Sequence, residues 1–443
     1  MLKTFSKGGV HPPEEKMSAS AAISVLPIPS EVFVPFSQHI GAPSEPVVAI
    51  GDKVKVGDII AKSTSFVSAN IHSSVSGTVA GIEYIVDASG YPRQAFRISV
   101  EGDEWRPEID RSSAFVKGNG YDAKQILEII QSSGIVGLGG ATFPSHVKLV
   151  VPHGKKADAL IINGAECEPY LTADHRLMLE KGHEILEGTR LLMITLGVTT
   201  GYIAIENNKP DAIAHLKTLV KNYEGIEIVP LKVKYPQGGE KQLIKSIIGR
   251  EVPSGGLPID IGAVVQNVAT AYAVYEAVVK HKPLFERVVT VTGKSVKNPR
   301  NFMVRVGTPV SCLIDAIGGL PEDTGKIISG GPMMGKALNS VNSPVAKGTS
   351  GILLVPEKLS RRSQEAVCIR CSKCVSVCPM GLEPYLLFKL GKRGFYDRME
   401  VEHVLDCMEC GSCSFTCPAK LPLLDYIRLG KGAVAKMIKN RKK

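Results

Sequence analysis

Tryptophan occurs once in this chain, and aromatic residues make up only 6% of it. A surface that grips nucleic acid by stacking has too few rings to work with. Long apolar runs are also missing. The best candidate, Ile259 to Val279, is broken by Asp260, Gln266, Asn267 and Glu276, whereas a membrane-spanning helix needs about 20 predominantly apolar residues in succession. Near the start, the weak apolar patch Ala21 to Ile28 is interrupted by Ser24 and Pro27, which argues against a secretory signal. These absences predict a protein soluble by itself. Outside one stretch near the C-terminus only two cysteines remain, Cys167 and Cys312, each isolated. That count excludes a disulfide framework and points to a reducing compartment; each lone thiol reads as buried and inert.

What the chain does have is eight cysteines between Cys368 and Cys417. The run Cys368-x2-Cys371-x2-Cys374-x3-Cys378-Pro379 is followed by Cys407-x2-Cys410-x2-Cys413-x3-Cys417-Pro418. This is the spacing of two-cluster bacterial ferredoxins, in which each fourth cysteine ligates the other cluster. Three thiolates two residues apart wrap one face of a cubane on a tight turn. The fourth, three residues further and ahead of a helix-stopping proline, points the other way. The expected ligand sets are Cys368, Cys371, Cys374 and Cys417 for one 4Fe-4S cluster, and Cys407, Cys410, Cys413 and Cys378 for the other. Zinc usually takes its four ligands as two C-x2-C pairs, so triplets followed by Cys-Pro suit it poorly. The intervening Leu382 to Val404 reads as a helical connection. Two clusters in one small lobe are an electron wire, so another centre must deliver or accept the electrons.

A length of 443 residues with 44% hydrophobic and 22% charged content fits several globular domains. The net charge of +10 is uneven: Lys420 to Lys443 hold eight Lys/Arg against Asp425 alone. Such a tail suits a solvated end, an acidic partner, or an anionic leaflet at roughly 1 kcal/mol per charge. No nucleic-acid motif accompanies it, so no nucleic-acid partner is expected.

From the N-terminus, residues 1–30 are rich in Gly and Pro, including Lys7-Gly8-Gly9-Val10-His11-Pro12-Pro13, and read as an extended arm. Residues 31–110 alternate short β-branched runs with Gly and Pro, an all-β pattern. Val47 to Ile60, followed by Ile71 to Val79, resembles the flattened barrel of biotinyl and lipoyl carrier domains. Those carriers present a modifiable Lys at a turn that reads Ser68-Ala69-Asn70 here, so a structural or docking lobe is expected, with His72 simply packed. Residues 118–285 alternate helix-like and strand-like segments, an α/β pattern. Within them, the glycines of Ser133 to Pro144 suit close backbone approach to a phosphate or flavin ring. The buried strand Ala159 to Ile162 ends in Asn163-Gly164-Ala165-Glu166-Cys167-Glu168-Pro169-Tyr170, polar groups crowded where α/β crevices bind ligands. Tyr235 to Lys241, Ser254 to Pro258 and Val265 to Thr270 follow.

The order Gly-Gly-Ala-x-Phe-Pro, Asn-x-x-Glu-x-Glu-Pro, Gly-x-Glu, Asn-Val-x-Thr resembles the NADH- and FMN-binding subunit of respiratory complex I, from about 130 to 275. Val288 to Gly319 then looks like the small SLBB β-grasp domain that follows the flavin domain in that family, with Gly330 to Gly335 as its exit. The full sequence of parts is similar to the RnfC family of Rnf complexes, ferredoxin:NAD oxidoreductases that pump Na+ or H+. The fold so implied is multidomain, α/β and α+β: an arm (1–30), a barrel-sandwich domain (31–110), an FMN/NADH-binding α/β domain (118–285), an SLBB β-grasp domain (286–336), a two-cluster ferredoxin domain (360–425) and a basic tail (426–443).

The resemblance implies non-covalent FMN, NAD(H) as substrate, and a peripheral position on the cytoplasmic face of the bacterial inner membrane. Partners would be the other subunits of a membrane-bound complex, and ferredoxin indirectly. Gly137, Gly139, Gly140 and Phe143 would line the isoalloxazine and nicotinamide. Asn163, Glu166, Tyr235, Gly239, Glu240, Asn267 and Thr270 would hold FMN, Lys148 would approach its phosphate, and Glu168 would face the nicotinamide as the catalytic residue. Two departures stand out: Leu138 replaces an Arg of the complex I pattern, and Ala165-Glu166-Cys167-Glu168 replaces Asp-Glu-Gly-Glu. A soluble flavin/iron–sulfur reductase, such as the cobalamin reductases of microcompartments, and a non-enzymatic electron-wiring scaffold are the alternatives.

Overall fold

The computed structural model describes residues 2–441, so Lys442 and Lys443 of the basic tail lie outside the described residues. Alternating burial along Gly77–Val86 marks a half-covered strand, and it pairs antiparallel with Pro92–Val100. With Glu31–Pro35 and Lys53–Val54 these form a four-stranded sheet that faces a smaller one made of Glu45–Pro46, Ile59–Lys62 and Ile71–His72. Val32, Ile60, Ile71, Val79, Phe96 and Ile98 fill the space between, all fully buried. The turn where carrier domains present their lysine is docked here: Asn70 Nδ2 donates to the Ser132 carbonyl at 3.0 Å, and the Asn70 carbonyl accepts from Lys347 Nζ at 2.8 Å. His72 is packed in the barrel, where burial lowers its imidazole well below the usual value.

The central domain is a four-stranded sheet in the order Ile226–Leu231, Gly201–Glu206, Ala159–Gly164, Ala263–Asn267, every neighbouring pair parallel. Near-continuous apolar strands such as Ala159–Gly164 are what a sheet covered on both faces requires. Helices Ala173–Glu180, Gly182–Leu196 and Val268–Val279 cover one face, and Glu240–Ile248 covers the other. Chain order runs outward from Ala159–Gly164 and then jumps back across it to Ala263–Asn267. The strand order therefore reverses between these two, and Asn163 and Asn267 are register partners at that point. Ligands of open α/β sheets bind at the carboxyl ends beside such a reversal.

A six-stranded mixed sheet follows, in the order Ile23–Val25, Arg300–Arg305, Glu286–Thr292, Gly351–Pro356, Thr324–Ser329, Lys336–Ala337. It extends past residue 336 because Gly351–Pro356 sits in its middle, parallel to Glu286–Thr292 and antiparallel to Thr324–Ser329. It also takes in the N-terminal arm, whose Ile23–Val25 adds a parallel edge strand to Arg300–Arg305.

In the C-terminal lobe the repeated cysteine run produces a repeated backbone. Arg370 and Ser372 flank Cys371 with φ of 56° each, as Glu409 and Gly411 flank Cys410 with φ of 60° and 77°. The region between the runs holds helices Pro384–Lys392 and Tyr396–Val401. The final helix, Leu423–Arg441, packs on Pro384–Lys392, where Gly391 lets the Tyr426 backbone pass closely. Much of the tail's charge is answered inside the lobe: Arg428 and Lys431 pair with Glu409, both at 3.0 Å, and Arg441 pairs with Asp397 and Glu400. No helix among the described residues is long and apolar enough to cross a membrane.

Candidate functional site: a sheet-end crevice joined to a cysteine lobe

Close backbone passage builds the mouth of the crevice. The loop after Ala123–Ser132 is closed by Gly137 N–H donating to the Phe143 carbonyl at 2.9 Å. Its next residue is pinned by Thr270, whose hydroxyl accepts from Leu138 N–H at 3.0 Å. Gly139 lies flat on Asn267; a Cβ there would come within 3.0 Å of the Asn267 Cβ. Gly140, with φ of +152°, faces open space, with nothing within 4 Å of where its side chain would be. The loop thus presents bare backbone to the strand ends.

Most side chains that the sequence singles out converge here, but many of their polar atoms are already engaged. Asn267 Oδ1 caps Val268–Val279 by accepting from Ala269 N–H at 2.8 Å, and its Nδ2 donates to Asp174 at 2.7 Å. Asn163 Nδ2 donates to the Gly238 carbonyl at 2.8 Å. The Glu166 carboxylate accepts from the amides of Asp174 at 2.8 Å and His175 at 3.2 Å, sitting at the positive end of Ala173–Glu180. Burial and Glu166 together push the Asp174 carboxyl up. Lys148 Nζ donates to Glu240 at 2.6 Å and to the Val265 carbonyl at 3.2 Å, joining the glycine loop's helix to the crevice floor. Asn163, Glu166, Asn267 and Thr270 therefore shape the crevice through contacts of their own.

Glu168 and Tyr235 lie on the seam between domains. The Glu168 carboxylate accepts from the amides of Met333 at 3.1 Å and Met334 at 2.8 Å, clasping the Gly330–Gly335 loop. Burial pushes it up to about 7, against the pull of those two amides. The Tyr235 hydroxyl donates to the Cys410 carbonyl at 2.8 Å and lies 3.4 Å from Glu168. Gly239 packs under Met408, the residue after Cys407. Gln242 Nε2 donates to the Pro379 carbonyl at 3.3 Å. Cys167, neighbour to both glutamates, is pushed up to about 12 by burial and by Glu206, which makes it a poor nucleophile.

The half of the cysteine lobe that meets this seam has a cavity of its own. It measures about 370 Å³ and is lined by Cys378, Cys407, Cys410 and Cys413, with Leu382 and Ile427 among its apolar walls. Cys378, from the first run, thus sits with the second triplet. Cys417, from the second run, packs with Cys374 in the lobe core. No three His, Cys, Asp or Glu side chains among the described residues converge on a single-ion site; the thiols ring a space instead, which suits a cubane. Burial and the neighbouring thiols push Cys413 up to about 12 and Cys407 up to about 11. Thiolates crowded this way need a cationic core beside them, and iron supplies it.

Three residues of this arrangement were not singled out in the sequence: Lys16, Lys209 and Gln242. Lys209 is 2% exposed and donates to the Ala165 carbonyl at 2.8 Å. Its one sequence signal is a helix-starting Lys-Pro beside a strand end, which many surface loops share.

Fold and crevice together define a flavin- and iron–sulfur-dependent electron-transfer protein. Family models match in the same order: the RnfC barrel sandwich hybrid domain at residues 4–104, the Nuo51 FMN-binding domain at 130–276, the SLBB domain at 288–337 and a 4Fe-4S dicluster domain at 361–418. The chain is 49% identical to the RnfC-type subunit of the proton-translocating ferredoxin:NAD(+) oxidoreductase complex of Clostridium ljungdahlii, over 97% of this chain and 93% of that one. It is 44% identical to the Na(+)-translocating counterpart of Acetobacterium woodii, over 96% of each. The corresponding subunit of the ion-translocating oxidoreductase complex of Rhodobacter capsulatus is 40% identical, over 98% of this chain and 84% of that one. The chain belongs to the RnfC family of ion-translocating oxidoreductase complexes. Among solved structures, an NAD+-reducing NiFe-hydrogenase in the H2-reduced state shares the fold, with a TM-score of 0.51 at 18% identity over 70% of this chain and 61% of that one.

Proposed function

We propose that this chain exchanges electrons between NAD(H) and the membrane subunits of a ferredoxin:NAD oxidoreductase complex, as its peripheral subunit on the cytoplasmic face. The chain carries the FMN-binding and 4Fe-4S dicluster domains of its family. FMN, when bound, turns a two-electron hydride exchange with NAD(H) into single-electron steps that a pair of clusters can carry. In this reading Gly137, Gly139, Gly140 and Phe143 offer backbone and ring to the flavin face. Asn163, Asn267 and Thr270 hold the two crevice walls at fixed spacing, and Lys148 with Glu240 closes the end where a phosphate would be neutralised. Cys378, Cys407, Cys410 and Cys413 ligate the cluster nearer the crevice, and Cys368, Cys371, Cys374 and Cys417 the other. Glu168 orders the seam through which nicotinamide would enter.

The observation that carries this reading is the seam itself. The strand-end crevice and the Cys410 peptide are joined by one hydroxyl, so a flavin in the crevice has a cluster next to it. Anaerobically purified protein should show a flavin spectrum and about eight iron atoms per chain, and NADH should bleach both flavin and cluster absorption. A protein lacking FMN, or one whose flavin ignores NADH, would end the proposal.

A further inference from the structure

The N-terminal arm meets the loop after Ala159–Gly164 through one side chain. Lys16 Nζ donates to the carbonyls of Glu166, Glu168 and Leu171 at 2.8, 2.9 and 2.7 Å. Lys209 Nζ takes the preceding carbonyl, that of Ala165, at 2.8 Å. A trans peptide is planar, with its C=O and N–H pointing to opposite sides. The Ala165 carbonyl shares a peptide with the Glu166 N–H, and the Glu166 carbonyl shares one with the Cys167 N–H. With both carbonyls turned onto ammonium groups, these two N–H groups are turned away from them. Neither donates to a backbone acceptor among the described residues. Glu166 has φ of +45°, and a left-handed residue between successive amides is the geometry that gathers N–H groups onto an electron-rich acceptor.

We propose that Lys16 is a positioning residue for the flavin: it holds the 166–171 loop so that the amides of Glu166 and Cys167 form a donor edge for the carbonyl-bearing side of the flavin ring. This rests on the crevice being the FMN site. The arm thereby acts as part of the cofactor site, 150 residues away in sequence. Donors on that ring edge stabilise the negative charge that gathers there on reduction, so the loop tunes the flavin as well as binding it. The charged and titratable groups facing Lys16 are Lys209, Glu206, Glu166, Cys167 and Glu168. Burial, and then Lys209, bring the Lys16 ammonium down to about 8, so its grip on the three carbonyls weakens as pH rises through that value.

The test uses the full-length, cluster-loaded chain, with FMN affinity read by fluorescence quenching and the flavin midpoint potential by redox titration. Lys16→Met should weaken FMN binding about tenfold, the loss of one or two charge-assisted hydrogen bonds, and shift the midpoint to more negative values at unchanged iron content. Lys16→Arg should restore both. A lysine that merely stabilises the fold would lower the melting temperature without moving the potential. If Lys16→Met fails to fold, wild type and Lys16→Arg still decide: wild type should lose FMN affinity above pH 8 while the arginine variant holds it, and parallel profiles would overturn the proposal. Equal FMN affinity and potential in Lys16→Met and wild type overturns it alone. A wild-type chain that binds no FMN removes the proposed function as well.

Discussion

Replacing Tyr235 by Phe deletes one hydroxyl and no packing volume, so its effect isolates the seam between crevice and lobe. Tyr235 is 2% exposed, and its hydroxyl donates to the Cys410 carbonyl at 2.8 Å. Burial raises the phenol's own ionisation above its usual value, so it remains a donor at every pH the protein meets. The variant leaves a buried carbonyl without a partner, at a cost of about 1–3 kcal/mol. Other ties remain, including Gly9 N–H to the Val377 carbonyl at 2.8 Å and Gln242 to the Pro379 carbonyl at 3.3 Å. The lobe should therefore stay docked while its local opening becomes roughly 5- to 150-fold more frequent. Anaerobic hydrogen exchange should show that loss of protection in the peptides spanning Cys407 to Ser412, with the barrel unaffected. Rapid mixing with NADH should show slower cluster reduction at an unchanged rate of flavin reduction. Exchange within twofold of wild type, or equal slowing of both steps, would refute the seam as the route.

Cys378→Ser should remove the cluster held by the second triplet and about half the iron, whereas Cys417→Ser should remove the other; electron paramagnetic resonance distinguishes them, and loss of the same-run cluster would contradict the crossed pairing. Gly8→Ala places a Cβ 2.5 Å from the Cys378 carbonyl carbon at φ of +67°. The left-handed strain alone costs about 1–2 kcal/mol, so the arm should lift and become open to protease near Lys7, with unchanged digestion as the refuting result. Glu168, pushed up to about 7 by burial, keeps its proton between pH 4.5 and 7 in the folded chain while the unfolded chain releases it. Its contribution to stability thus declines as pH rises through that window. Denaturation midpoints at pH 5 and 8 should differ less in Glu168→Gln than in wild type, although Glu206, also pushed up to about 7, leaves a residual slope.

The chain's own order already carried its chemistry. The ligand spacing around Cys371 and Cys410 is a local property, since a turn of a few residues decides which way each thiol points. The bare glycines at 137–140 are legible for the same reason, as is the apolar strand that ends at Asn163. What sequence could not supply was the traffic between distant segments. Nothing near Lys16 marks it as the clasp of a loop beginning at Glu166, and nothing near Tyr235 says its hydroxyl ends on Cys410. Likewise Glu166 reads as a ligand for a sugar or ring, while in the fold its carboxylate caps the helix beginning at Ala173. A side chain's partners are set by which surfaces the domains bury against each other, and burial is what makes an unpaired donor or acceptor costly. Local spacing fixed the cofactor types; only packing between arm, crevice and lobe decided which residues hold them in line.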